Sequence, residues 1–496
     1  MNNEHTLKIN NNSKFEITMN IKQFRNKYQK DDIENQSHYE ENKIIEKIGG
    51  RILSIRKMSK NLTFVDLNSN GENLQIVFDI KKLDENEITQ IKNLKRGFIV
   101  GLEGSPFYTK TGELSLLATK INILSECEAE LPIMNRKDKE MLKDHELRYS
   151  KRYLDLIVNN NHKEYFEFRA KLIRFLRNYL ENEGFLEVET PILSHKVGGA
   201  LARPFQTHSN ALKNDLFLRI APELYLKQLI IAGFEKVFEI GKNFRNEDIS
   251  VRHNPEFTTC EFYHTYSDYL KLITFTKNFL IKLSQEIFES KSIKCPIDFK
   301  EENFKIFDFK TEFENYFNRK LNFNSREEFY NQCEEFYLEF TRQTSIPNLN
   351  KNFNLKMKLE KMIELIIESK CKEGCCFIIN HPTILSPLAK SHADNKLLSE
   401  RFEFYINGIE IINSYSELND AKEQRERFVE QKNLSENGLT DNEIHPFDND
   451  FLEALSYGMP PTAGWGLGID RLCMMLLGLQ NIKEVILFPL MNVNKI

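Results

Sequence analysis

Residues 238–266 constrain the fold of this chain more than any other stretch, because they alternate as two adjacent strands do. Successive side chains of a strand point to opposite faces. Phe257, Thr259, Glu261 and Tyr263 therefore share one face, and Thr258, Cys260 and Phe262 the other. The first face carries a ring, a carboxylate and a phenol, while the second is suited to packing on a core. Arg245 and Glu247 share a face of the preceding strand, and a polar loop at 248–255, with Arg252 and His253, joins the two. A cationic pair, a stacking ring and a carboxylate on neighbouring strands suit a nucleotide and a charged small molecule. Taken alone, the same pattern also describes an amphipathic hairpin with a solvated polar face.

At 496 residues the chain is too long for one ordinary core and predicts two or three domains. Residues 1–44 are polar and read as an arm, with a short helix at 21–28. Residues 45–130 change to short strand-like runs, such as Leu62-Thr63-Phe64-Val65-Asp66-Leu67 and Leu74-Gln75-Ile76-Val77-Phe78. Asn70-Gly71 and Thr111-Gly112 supply hairpin signals between such runs. The series predicts a small β-barrel, of which the OB-fold is the commonest nucleic-acid-binding version. Residues 131–160 read as a linker. Phe168, Leu172, Phe175, Leu176, Tyr179 and Leu180 then recur at helical spacing, with Gly184 placed as a C-terminal cap. Strands and helices interleave through 161–496, and the more charged segment at about 290–370 reads as a mostly helical insertion. The expected class is α+β: an N-terminal OB-fold β-barrel, then a domain built on an antiparallel β-sheet flanked by helices.

The formal net charge of −5 neither predicts nor excludes a nucleic-acid partner, since a basic face can coexist with an acidic remainder. No apolar run approaches membrane-spanning length, and residues 1–20 lack the features of a secretory or transit signal, so the expectation is a cytoplasmic protein with no membrane partner. The eight cysteines have no framework spacing; Cys371, Cys375 and Cys376 cluster without a second pair or matched histidines and read as buried thiols.

Two further stretches carry chemistry. Gly464, Gly466 and Gly468 alternate, which on a strand clears one face so that a substrate can lie against the backbone, with Arg471 entering on the helix that follows. The spacing differs from the G-x-G-x-x-G dinucleotide fingerprint, and a glycine-rich turn is the plain alternative. Asn407-Gly408 is a hairpin turn, after which Asn413, Tyr415 and Glu417 share a face. Glu410 has the opposite parity, so a bulge or twist must bring it to them.

Together these stretches resemble the class II aminoacyl-tRNA synthetases. Phe244-Arg245-Asn246-Glu247 with Arg252-His253-Asn254-Pro255-Glu256-Phe257-Thr258 is similar to motif 2. Gly184-Phe185-Leu186-Glu187-Val188-Glu189-Thr190-Pro191 resembles motif 1, and Gly464-Trp465-Gly466-Leu467-Gly468-Ile469-Asp470-Arg471 resembles motif 3. The flanking Arg219-Ile220-Ala221-Pro222-Glu223-Leu224-Tyr225 and Ser416-Glu417-Leu418-Asn419-Asp420 are similar to the lysine-specific branch. The resemblance covers about residues 45–496. It implies a catalytic domain at 161–496, an anticodon-binding barrel at 45–130, a homodimer formed through motif 1, and ATP, L-lysine and tRNA(Lys) as substrates.

It also implies roles. Arg245 contacts the α-phosphate and the amino-acid carboxylate; Phe257 stacks on adenine; Arg471 lies over adenine's other face and reaches the γ-phosphate. Arg252 and His253 hold the outer phosphates, Glu247 lies close to the adenine, and Asn246, Asn254, Ile411 and Gly468 complete the ATP site. Glu410 and Glu417 hold Mg2+, whose preference is for hard oxygen ligands. Related aspartate enzymes place an arginine where Glu417 stands, and a carboxylate there suits an ε-ammonium. Glu261 and Tyr263, with Asn413, Tyr415 and Gly466, complete that pocket, while Glu223 takes the α-ammonium beside Gly199 and Ala200. In the barrel, Arg51, Phe64, Gln75 and Glu113 match anticodon-contacting positions, with stacking by Phe64 and edge-reading by Gln75; a barrel-core place for Phe64 stays open. No nucleophilic Ser or Cys is expected, because positioning and charge neutralisation carry both steps.

Lys57-Met58-Ser59-Lys60 imitates a class I signature, but neither the Rossmann domain nor the histidine motif that accompanies it is present. Asp248 stands where the family usually has Gly. An aspartyl or asparaginyl enzyme is disfavoured by Glu417, a protein-modifying lysyl transferase by the barrel, and a non-enzymatic relative by the presence of Arg245, Arg471, Glu410 and Glu417.

Overall fold

The computed structural model describes residues 15–28, 44–109, 111–132, 142–196, 198–200, 202–288, 295–344, 353–436 and 448–491. The chain forms two compact units, the first reaching to Glu164 and the second running from Tyr165 to Lys495.

The first unit is a five-stranded closed barrel. Strands β1 (Glu46–Ser59), β2 (Leu62–Ser69), β3 (Glu72–Asp79), β4 (Ile99–Tyr108) and β5 (Leu114–Ser125) are ordered β1-β2-β3-β5-β4. Asn70 and Gly71, both at positive φ, form the two-residue turn between β2 and β3, the backbone that Asn-Gly favours. Ile52, Val65, Leu67, Leu74, Ile76, Val100, Leu102 and Leu116 fill the interior. The Lys57–Lys60 tetrapeptide occupies the end of β1 and the turn after it, a barrel position.

Two boundary readings change. The helix Ile21–Lys27, closed by a capping box between Asn20 and Gln23, buries Ile21 and Phe24 in the barrel cluster, so residues 15–28 are part of this core rather than of a free arm. The rest of the expected arm, 1–14 and 29–43, lies outside the described residues. In the expected linker, helices His145–Ser150 and Arg152–Val158 enclose a buried charge cluster. Asp155 meets Arg152 at 2.8 Å and His162 at 2.9 Å. Burial would raise the Asp155 carboxyl, but the hydrogen bonds of His162 and Asn159 and the Arg148 charge bring it down to about 2.

The second unit is organised by an eight-stranded sheet. Its strands in chain order are β6 (Leu186–Glu187), β10 (Lys236–Phe244), β11 (Glu256–Thr265), β12 (Phe304–Asp308), β13 (Cys375–Ile379), β14 (Arg401–Ile406), β15 (Ile409–Ser416) and β16 (Thr462–Gly468). The spatial order is β12-β13-β14-β15-β16-β11-β10-β6, antiparallel except at the two outermost pairs. β7 (Leu193–Ser194), β8 (Gln206–Ser209) and β9 (Asn214–Leu218) make a small separate sheet. One face of the large sheet packs on helices Lys163–Asn182, Tyr269–Phe288 and Ile469–Leu476 through a cluster holding Leu172, Leu176, Phe279, Leu280, Phe262, Trp465 and Leu472. The predicted helix and its Gly184 cap are in place, with Phe185 N–H donating to the Leu180 carbonyl.

Segment 290–370 is helical as expected in its described residues, but it is built into the domain. It supplies edge strand β12, and Phe309, Phe313, Phe317, Phe329 and Phe336 bury themselves with Ile378 of β13 and Tyr405 of β14. Its many charges hid phenylalanines already spaced at i and i+4.

Candidate active site

The opposite face of the large sheet lines a cavity of about 570 Å³. Its floor follows from strand register. Gly464 of β16 lies between Tyr263 of β11 and Tyr415 of β15, and Gly466 lies between Glu261 and Asn413. A Cβ on Gly464 would collide with Glu417 Oε1 and lie 2.6 Å from Tyr263 Cε1, so glycine leaves the room that these two side chains of the pocket occupy. Cys260 and Phe262 point the other way into the core, as their parity requires. The hairpin turn at Asn407 and Gly408 has positive φ at both residues. The required bulge is also present. Phe404 pairs with Ile412 and Tyr405 with Glu410, which leaves Ile411 as the extra residue and turns Glu410 toward the cavity.

At the open end, β10 stops at Phe244, so Arg245 and Glu247 lie just beyond the strand and not on it. Arg245 is held by its backbone N–H, which donates to the Pro255 carbonyl at 2.8 Å. Its guanidinium lies over the Phe257 ring at 5.1 Å, and its buried Nε has no hydrogen-bond partner. Arg471 enters from the helix after β16 and donates to the Glu410 carbonyl at 2.9 Å and to His253 Nε2 at 2.9 Å. Burial, then the charges of Arg471, Arg245 and Arg252, draw the His253 imidazole down, so it is neutral and accepts that bond. Arg252, Asn254, Ile411 and Gly468 line this end. Asn246 does not: its backbone N–H is tied to the Arg203 carbonyl.

The closed end is acidic. Gly199, Ala200, Glu223, Glu261, Tyr263, Asn413, Tyr415 and Glu417 converge there. Glu223 Oε1 accepts from Tyr415 Oη at 2.7 Å and from Lys227 Nζ at 2.6 Å. Burial, reinforced by Glu223, pushes the Glu261 carboxyl up to about 8, and burial raises Glu417, Tyr263 and Tyr415 as well. Such a pocket is short of positive charge.

Glu410 and Glu417, the pair expected to hold Mg2+, both line the cavity. Glu417 is ion-paired to Lys227 at 2.5 Å, whereas Glu410 lies beside Arg471. Glu368 feels both Glu403 and Glu410: burial, then their charges, push its carboxyl up to about 7. Glu403 is gripped by Arg401 and accepts from Tyr405 Oη at 2.8 Å; burial alone would raise it, but Arg401 and His381 hold it well below the usual carboxylate range. Among the described residues no group of three or more His, Cys, Asp or Glu has the spacing of a complete metal site. The hard carboxylate oxygens of Glu410 and Glu417, in a cavity that also holds Arg245, Arg252 and Arg471, fit Mg2+ that would take its remaining ligands from a nucleotide and water. Glu403, Glu368, Arg401 and Lys227 were missed. Glu403 stands opposite Asn413 in the hairpin register, a usable signal, and Lys227 is four residues after Glu223 on one helix, a spacing that reads as an ordinary surface pair.

On the barrel, Phe64 is half-buried and outside the interior cluster, whose β2 members are Val65 and Leu67; the barrel-core alternative is thereby excluded. The guanidinium of Arg56, unremarked in the sequence, lies 5.9 Å from the Phe64 ring centroid. It also donates to Asp66 Oδ1 at 2.9 Å and to Gln75 Oε1 at 3.2 Å. Gln75 is largely buried and donates to Ser115 Oγ at 3.0 Å; Arg51 donates to the Gly97 carbonyl at 2.8 Å; Glu113 is exposed.

Residues 144–492 match the family of tRNA synthetases class II (D, K and N), and residues 47–124 match the OB-fold nucleic acid binding domain. A probable cytoplasmic lysine–tRNA ligase of Encephalitozoon cuniculi is 42% identical over 452 residues, covering 89% of this chain and 86% of the relative. The lysine–tRNA ligase of Wigglesworthia glossinidia brevipalpis is 40% identical over 496 residues, covering 97% and 94%. That of Pectobacterium carotovorum is 40% identical over 491 residues, covering 95% and 93%. With both family models matched in order along its length, relatives about 40% identical over nearly all of it, and motif 2 and motif 3 residues lining one cavity, this chain belongs to the class II lysyl-tRNA synthetases.

Proposed function

We propose that this cavity is where the chain, a lysine–tRNA ligase, joins L-lysine to AMP before passing it to tRNA(Lys). The observation that carries the reading is the cavity's polarity: cations and a stacking ring at the open end, buried carboxylates at the closed end. Lysine fits that polarity in one orientation. Its ε-ammonium meets Glu417, Glu261 and Tyr263, its α-ammonium meets Glu223, and its carboxylate is carried toward Arg245. Phe257 and Arg471 take the adenine, with Arg252 and His253 on the outer phosphates.

A carboxylate oxygen of lysine attacks the α-phosphorus, the bond to pyrophosphate breaks, and lysyl-adenylate forms. The terminal ribose hydroxyl of the tRNA then attacks the lysyl carbonyl carbon, and AMP leaves. Arg245 neutralises charge building on the α-phosphate, and the preorganised guanidiniums do this without reorganising water. Glu410 and Glu417 would hold Mg2+, which supplies neutralisation of the outer phosphates.

Exposed Leu186, Ile192 and Leu193 on and beside the edge strands support a homodimer through motif 1. Phe64, framed by Arg56, supports stacking of an unpaired anticodon base. The test is amino-acid-dependent exchange of pyrophosphate into ATP with each standard amino acid. Exchange with lysine alone is expected; no exchange with any amino acid from folded protein overturns the reading.

A further inference from the structure

Lys227 is fully buried and does not line the cavity, yet both carboxylates it touches do. Its Nζ lies 2.6 Å from Glu223 Oε1 and 2.5 Å from Glu417 Oε2, and 5.6 Å and 5.7 Å from the ring centroids of Tyr415 and Phe451. A lone ammonium in such a place is very costly, and the two carboxylates are the main offset to its desolvation. Burial draws Lys227 down, but Glu223 and Glu417 outweigh it and hold the ammonium above the usual lysine range.

We propose that Lys227 is a positioning residue for substrate lysine, a resident ammonium that locks Glu223 and Glu417 in the geometry in which they read the two ammonium groups of the substrate. It engages one oxygen of each carboxylate and leaves the others to the cavity. Neither oxygen of Glu417 has an aligned hydrogen bond within the protein, and Oε1 sits in the room that the absent side chain of Gly464 leaves. Tyr415 adds its own hydroxyl to Glu223 Oε1, so that oxygen is saturated from behind. Burial and Glu223 raise the Glu417 carboxyl and Lys227 works against that rise, so without Lys227 two carboxylates beside Glu261 would face one another in a dry pocket with nothing to oppose it. Like charges in that situation retain a proton instead of both ionising, and a protonated carboxyl is a poor acceptor for an ammonium.

The inference rests on the assignment of this pocket to lysine. The discriminating experiment measures lysine-dependent pyrophosphate exchange for the wild type, K227M and K227R, with separate titrations of lysine and ATP. For K227M, KM for lysine rises about 10- to 100-fold while kcat and KM for ATP stay within about threefold, because an interaction with one substrate's ammonium groups is lost. K227R keeps the charge and recovers part of the lysine affinity. If K227M is unfolded by circular dichroism, K227Q, which removes the charge but keeps a donor, carries the same expectation. A neutral variant whose lysine KM stays within about twofold of wild type overturns the role, as does one in which kcat and both KM values move together. Wild-type protein without lysine-dependent exchange would instead sink the assignment of the pocket, so the two failures are distinguishable.

Discussion

The closed end of the catalytic cavity and the Arg56–Phe64 face of the barrel both use charge beside aromatic rings, and they do so in opposite regimes. At the closed end, Glu417 and the Lys227 behind it are 1% and 0% exposed, and the Glu261 carboxyl is displaced to about 8. On the barrel the Arg56 side chain is 38% exposed and that of Asp66 22%, so water screens the pair and it contributes little by itself. Burial makes each charge in the cavity decisive for a small ligand. Exposure leaves the barrel to recognise bases by stacking and shape, with energy spread over several contacts.

The contrast is most strongly tested at Arg245. Arg245→Ala is expected to lower lysine-dependent exchange by about a thousandfold, the scale of losing a preorganised donor at a developing charge. Loss below tenfold would show that the arginine is not at the reacting phosphate. Next comes Glu417→Gln, which leaves the ammonium of Lys227 with one carboxylate fewer. KM for lysine should rise about 100-fold in the same exchange reaction, with KM for ATP little changed. A matched rise in both would erase the division of the cavity into two ends.

Phe64→Ala lies on the other side of the comparison. It should raise KM for tRNA about tenfold in aminoacylation and leave pyrophosphate exchange untouched, since one stacked base is lost and the cavity is unaltered. A change in exchange would break the separation between the two regions.

The smallest effect is a pH dependence. Burial, then the Glu223 charge, raises Glu261 from the ordinary carboxyl range to about 8. The free folded protein thus keeps a proton that the unfolded chain releases, and its stability falls as pH rises from about 5 through about 8. A bound ammonium favours the ionised form, so lysine should stabilise the protein more above pH ~8 than near pH ~6, by a few degrees in thermal unfolding. Glu261→Gln should abolish the difference. An equal lysine shift in both proteins at both pH values would remove Glu261 from the ammonium site.

Much of both regions is legible in the residues themselves. The alternation at 257–263 identified the face that meets the cavity, and the parity conflict at Glu410 correctly demanded a bulge, found at Ile411. Asn70-Gly71 and Asn407-Gly408 announced their turns because positive φ is a local property of those residue types. The segment at 290–370 failed to declare itself, since its charges dilute the apolar periodicity and strand β12 has, among the described residues, its one strand partner in β13, some seventy residues on.

Local chemistry, then, determined which residues form strands, turns and helices and which faces they share, because period and backbone preference act over a few residues. Which charges meet was decided by the tertiary structure alone. Parity puts Glu417 on the cavity face and only the bulge at Ile411 brings Glu410 to it, while the fold carries Lys227 to Glu417 from 190 positions away and sets Arg471 beside Glu410. Parity says which face a carboxylate occupies, but its partner and its proton depend on what the fold buries beside it.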